Sequence, residues 1–142
     1  MSLRKTVLIS ILITLGLAIG IFVSYNISEA VDRRNVFDTV GRLGKIRWQL
    51  LEFRNKNGKY PKGDEMNSIF SNAADSWGYP LKYVSWHSEK TDHFLLASPG
   101  KDGAWQHSDL RAYESYLSGE KWSANFDIVC GENGFIQAHI VE

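Results

Sequence analysis

The chain has 142 residues, 44% of them hydrophobic, with 16 basic and 16 acidic side chains, so its formal charge is zero. That is room for one domain plus an anchor. The single cysteine, Cys130, excludes an intrachain disulfide, makes a metal site built on it improbable, and lies after Ile128 and Val129, where a buried, inert thiol is expected.

The neutral total hides a gradient. Residues 29–62 carry nine basic and four acidic side chains, a net of +5, whereas residues 63–142 carry five and twelve, a net of −7. The acidic half would repel phosphate, which argues against nucleic-acid binding. A basic stem under an acidic head can steer copies of the chain head to stem. A solvated surface with chance asymmetry gives the same numbers.

Residues 1–5 form a basic flank with Arg4 and Lys5. Val7 to Val23 is a run of 17 residues without a charge. Residues 6–25 are therefore read as a transmembrane helix, since about 20 apolar residues cross about 30 Å of hydrocarbon. The positive-inside rule puts the flank in the cytoplasm and the rest outside. Gly16 and Gly20 form a small-x-x-x-small pair suited to helix packing in lipid. Ser28-Glu29-Ala30 has the form that signal peptidase reads, so a cleaved signal is the rival reading. The long apolar run, with helical residues continuing past it, favours a retained anchor.

Residues 26–58 are predicted to be an amphipathic stem helix. No Pro falls between Ile27 and Asn57, and Val36, Val40, Leu43, Arg47, Leu50 and Arg54 step at three and four, with Phe37, Trp48 and Leu51 widening the stripe. Gly58 is the expected C-cap, and Pro61 bars a restart. Gly41 and Gly44 weaken the middle of the helix by about 1 kcal/mol each relative to Ala, and suit a bend or a close contact.

Residues 59–142 read as a small head. Lys62 to Asn72 is polar, with one short helical turn around Met66, Ile69 and Phe70. Strands are expected at Leu81–Trp86, His93–Ala97, Asp127–Cys130 and Phe135–Val141, and a short helix at Leu110–Leu117. Ser88–Asp92 is a hairpin turn and Pro99–Gly103 is dense turn chemistry. Asn133-Gly134 is expected to fill the two central positions of a type I′ turn. The sum is an α+β fold, a long helix packed on a small antiparallel sheet.

Three stretches carry a resemblance: Asn57-Gly58-Lys59-Tyr60-Pro61; Asp75-Ser76-Trp77-Gly78-Tyr79-Pro80-Leu81-Lys82-Tyr83; and Phe94 through Ser98-Pro99-Gly100-Lys101-Asp102-Gly103. Together with the apolar helix and stem they resemble the major pseudopilin of type II secretion systems and its type IV pilin-like relatives, over about residues 35–110. Asp127-Ile128-Val129 with Asn133-Gly134-Phe135 is similar to the tail of some relatives. The resemblance implies a non-catalytic structural subunit in a bacterial inner membrane, its head in the periplasm, associating with itself or with other pilus or secretion subunits and having no small-molecule substrate. It also implies a calcium ion in the loop after Asp102-Gly103, where Asp102 and Asp109 are the carboxylates at hand. It does not reach the N-terminus: the family's Gly-Phe junction and fifth-position Glu have no counterpart, which leaves the expectation of a pilin-like head on an uncleaved anchor.

The motif residues themselves read as structural. Asp75 suits a carboxylate turned back onto backbone N–H groups. Trp77 suits core filling, Gly78 a turn and Pro80 the start of an edge strand. Tyr60, Pro61, Tyr83, Gly100 and Gly103 complete the set.

Two other functions carry distinct expectations. In a membrane-tethered or exported binding module, Trp86, Trp105 and Trp122 would form an aromatic platform, although core packing is the plainer role for them. An enzyme would need a tight constellation. His87, His93, His107 and His139 show no metal-binding spacing. A set of Cys130, His139 and Asp127 would put its thiol on a strand, away from the helix N-terminus that favours a thiolate.

Overall fold

The computed structural model describes residues 3–62, 64–70, 73–88, 91–115 and 123–137. It has one long helix, α1 (Leu3–Asn57), and an antiparallel sheet. The chain divides into two compact units at Arg34/Asn35.

The first unit consists of α1 alone in its described part. Its apolar side chains are exposed: Val7, Leu12, Leu17, Ile21 and Phe22 are 51% to 71% exposed. The apolar window has a mean hydropathy of 2.6 and is 0% buried, so this helix is long and apolar enough to cross a membrane.

The second unit holds the rest of α1, a short helix α2 (Asp64–Phe70) and four strands: β1 (Lys82–Ser88), β2 (Thr91–Ser98), β3 (Ile128–Gly131) and β4 (Gly134–Gln137). A 3-10 helix, η1 (Leu110–Ser115), lies between β2 and β3 in the chain. The strands pair in sequence order, all antiparallel.

Strand alternation sends residues to two faces, and each face has its own core. Phe94, Leu96, Ile128 and Cys130 pack with Val36, Leu43, Ile46 and Leu50 of α1 and with Tyr60. Leu95, Ala97 and Val129 pack on the opposite side with Leu110 and Tyr113. The result is helix, sheet and a covering loop in layers. Cys130 is fully buried, and burial pushes its thiol up to about 12 against the opposing effect of Arg47.

Gly58 ends α1 as expected, with φ at 75° and its N–H donating to the Arg54 carbonyl at 2.7 Å. Several expectations shift. The β1–β2 ladder runs to the pair Ser88 and Thr91, so it consumes most of the segment read as a turn. The helix expected at Leu110–Leu117 is 3-10 over Leu110–Ser115, and residues 116–117 and 138–141 lie outside the described residues.

The β3–β4 turn is a correction. Gly131 pairs with Gly134, so Glu132 and Asn133 take the central positions that the sequence assigns to Asn133 and Gly134. A register shift between Val129 and Cys130 accompanies it. Gly134 still needs to be glycine, because it opens β4 at φ 129°.

Candidate functional site

The outer face of α1 in the second unit departs from expectation. Val36, Thr39, Leu43, Ile46 and Leu50 form its buried face. Phe37 and Trp48 do not widen that stripe; they are 53% and 69% exposed. At ~100° per residue, they lie roughly 120–140° around the helix from Leu43, beyond the reach of the sheet. Gly41 and Gly44 lie between them, and a Cβ at either would meet nothing within 4 Å. Two large aromatic knobs thus flank a hollow on a helix surface. Such a surface suits close packing of a second helix, with the aromatic side chains of one filling the hollow of the other.

Beneath this face, polar side chains of α1 fasten it to the head. Thr39 Oγ1 accepts from the Ser76 N–H at 3.1 Å. Arg42 donates to the Ala74 and Asp75 carbonyls, each at 3.1 Å. Arg47 donates to the Gly131 carbonyl at 2.8 Å and the Glu132 carbonyl at 2.6 Å, capturing the β3–β4 turn. Hydrogen bonds from a charged donor are worth about 1.5–3 kcal/mol, so Arg47→Leu is expected to lower the unfolding free energy by about 2–3 kcal/mol. Chemical denaturation of the detergent-solubilised protein measures this.

The Asp-x-Trp-Gly stretch is built around one buried carboxylate. Asp75, only 2% exposed, accepts at Oδ1 from the Trp77 and Tyr79 N–H groups, both at 2.9 Å. Its Oδ2 accepts from Ser98 Oγ at 2.7 Å, and that oxygen accepts from the Gly100 N–H at 3.1 Å. Gly78 takes φ 90° in the turn. Pro80 bridges Ala74 just before β1, which is an edge strand as expected. Trp77 is half-buried and packs on the α1-side core with Tyr83. Tyr60 and Tyr83 both ring Phe94, with centroids 4.8 and 6.1 Å away. Burial raises both phenols, that of Tyr83 to about 12, and the Tyr83 hydroxyl donates to the Pro61 carbonyl at 3.1 Å. These motif residues are brought together as a fastening around Asp75 and Phe94.

The calcium expectation meets a poor donor set. Asp102 Oδ1 accepts from the Ala104 N–H and Asp109 Oδ1 from the Arg111 N–H, each at 2.9 Å, so both carboxylates cap their own turns. Among the described residues no group of three or more acidic, His or Cys side chains is placed to hold a metal. Calcium takes six to eight oxygens, and these two residues do not fit one. Gly103, at φ 68°, lets the Tyr79 ring approach: a Cβ there would lie 2.5 Å from it.

The aromatic platform is likewise occupied by the protein itself. The Arg111 guanidinium lies 5.0 Å from the Trp86 ring centre, and the Lys82 ammonium 4.1 Å from that of Trp105. Trp122 and His139 lie outside the described residues. Asp127 pairs with Tyr113, whose hydroxyl donates to Oδ2, and with the Gln106 N–H at 3.1 Å.

No family model, curated protein or solved structure matches the chain.

Burial raises the Asp127 carboxyl above its ordinary value; the bonds from Tyr113 and Gln106 oppose this, and Asp102 adds to it. A carboxyl raised in the folded state takes up its proton first there. Its contribution to stability is therefore gained as pH falls through the folded value, complete below the unfolded value of about 3.9, and lost as pH rises again. Thermal melts of wild type and Asp127→Asn are expected to differ in this sense: the substitution removes that acid-side gain.

Proposed function

We propose that the protein is a pilin-like structural subunit, anchored in a bacterial inner membrane by residues 6–25 with its head in the periplasm. It works by packing against copies of itself or against other subunits of a type II secretion or type IV pilus-type assembly. The observation that carries this reading is the outer face of α1, where Phe37 and Trp48 stand 53% and 69% exposed beside the open positions Gly41 and Gly44. A lone exposed aromatic needs no explanation, but two on one helix face around a hollow mark an interaction surface.

Two further features support it. The exposed apolar side chains of Val7–Val23 are stable in lipid, and burying each there is worth about 1.5–3 kcal/mol for a large aliphatic residue. The net charge of +5 over residues 29–62 and −7 over residues 63–142 favours attraction between the stem of one copy and the head of another. The resemblance around Asp75-Ser76-Trp77-Gly78 points the same way.

The test is the size of the membrane-extracted species. The wild type is expected to run as an oligomer in mild detergent. Trp48→Glu and Phe37→Glu are expected to run as monomers whose folding free energy differs from that of the wild-type fold by no more than about 0.5 kcal/mol, since both sites are solvent-facing. A wild-type monomer, or variants that assemble like wild type, would refute the packing face.

A further inference from the structure

The far end of the β1–β2 hairpin carries a constellation that packing into an assembly does not use. Ser88 is the last residue of β1, and its side chain is exposed. Its Oγ lies 3.0 Å from His93 Nε2. On the other side of the ring, His93 Nδ1 lies 2.7 Å from Glu132 Oε1. The three residues come from β1, β2 and the β3–β4 turn, and the ladder explains why they meet. His93 pairs with Trp86, which puts Ser88 diagonally across from it on the same sheet face.

Each member is held in place. The Trp86 ring stacks on His93 at 5.4 Å with 24° between planes, fixing the imidazole. Glu132 is fixed through its own carbonyl, which accepts from Arg47. His93 and Glu132 side chains are 27% and 23% exposed, so their bond is partly shielded from water. With Nδ1–H donating to Glu132, Nε2 is left as the acceptor for the Ser88 hydroxyl. A hydroxyl on an imidazole that is oriented by a carboxylate is the arrangement that activates serine, and it is recognised by geometry rather than chain order.

Two of the three residues, His93 and Glu132, line a pocket of about 350 Å³ with Trp86, Glu114, Asn133 and Phe135; Ser88 is not in that lining.

We propose that Ser88, His93 and Glu132 form a nucleophilic relay that accepts acyl groups from small activated esters. Ser88 Oγ attacks the ester carbonyl, forming the Oγ–C bond, while its proton passes to His93 Nε2. The carbon–alkoxide bond breaks, and the alcohol leaves with that proton. Water then attacks the acyl-serine by the same route and releases the acid, with no change in oxidation state. This proposal is independent of the assembly reading, and either can fail alone.

The experiment uses the full chain in detergent with a fluorophosphonate probe, which forms an Oγ–P bond and expels fluoride, and with p-nitrophenyl butyrate. One adduct per chain is expected, on the peptide containing Ser88, and absent from Ser88→Ala. His93→Gln is expected to slow labelling and butyrate turnover by about 10²–10⁴-fold, the usual size of a general base. It should also abolish the pH dependence of the labelling rate. Glu132→Gln is expected to slow both without moving the adduct. Ser88→Ala changes an exposed hydroxyl, so it keeps the fold and the test. An adduct elsewhere, a rate no faster than in the urea-unfolded chain, or labelling that ignores His93→Gln would overturn the proposal.

Discussion

Asp75→Ala is expected to cost the head about 4 kcal/mol, a large share of the 5–15 kcal/mol that a domain of this size commonly has. The carboxylate accepts three hydrogen bonds at 2.7 to 2.9 Å in a site that is 2% exposed. Alanine leaves the Trp77 and Tyr79 N–H groups and the Ser98 hydroxyl without that acceptor, and each buried unsatisfied group costs about 1–3 kcal/mol. Asp75→Asn separates charge from geometry. Its carbonyl can still accept from both N–H groups, so the loss is expected to be about 1–2 kcal/mol. Denaturant midpoints of the two variants measure the difference. Equal losses would mean that the charge, and not the acceptor geometry, sustains the turn.

Gly100→Ala carries the second large penalty, about 3 kcal/mol or more. Gly100 adopts φ 73°, and a Cβ there would lie 2.5 Å from the Phe126 carbonyl oxygen and 2.8 Å from that of Ala124. The left-handed backbone alone costs a residue with a Cβ about 1–2 kcal/mol. The clash is with backbone, which cannot swing away as a side chain would. Moving it would strain the neighbouring bond from the Lys101 N–H to the Ala124 carbonyl, 2.8 Å long. Thermal unfolding is expected to fall in proportion, whereas Gly41→Ala, in open helix surface, should leave stability unchanged or slightly raised.

These sites show what the sequence makes legible. Apart from the bond between Asp75 and Ser98, Asp75, Gly78 and Pro80 act through neighbours two to six residues away, so local turn chemistry reveals their roles directly. Gly58 and Pro61 mark the end of α1 for the same reason. The period of Val36, Leu43 and Leu50 identifies the buried face because a helix repeats every 3.6 residues.

Other features depend on distant partners. Arg47 interrupts an apolar stripe, but the carbonyls it captures lie 84 and 85 residues away. Thr39 is a polar residue on the buried face whose partner Ser76 lies 37 residues on. Phe37 and Trp48 are exposed although the sequence pattern places them with the core, because an apolar residue at a flanking helical position reads alike whether it faces a sheet or another molecule. The β3–β4 turn centres one residue earlier than Asn133-Gly134 suggests, because Gly131 pairs with Gly134 and strand register, not the dipeptide, sets the turn. The Ser88–His93–Glu132 contacts follow from strand register, and Asn133-Gly134 alone does not specify that register. A polar residue that interrupts an amphipathic stripe is the one signal that could have exposed Thr39 and Arg47.

Photo-crosslinking from the outer face of α1 tests the central claim most directly. Trp48→p-benzoylphenylalanine keeps an aromatic group where the chain presents its most exposed tryptophan among the described residues. Irradiation of native membranes is expected to yield a product of two chains joined through the stem, and Phe37→Glu in the same chain is expected to abolish it. If irradiation joins Trp48's replacement to lipid or to nothing, with no protein adduct at any expression level, the stem face is not an assembly surface.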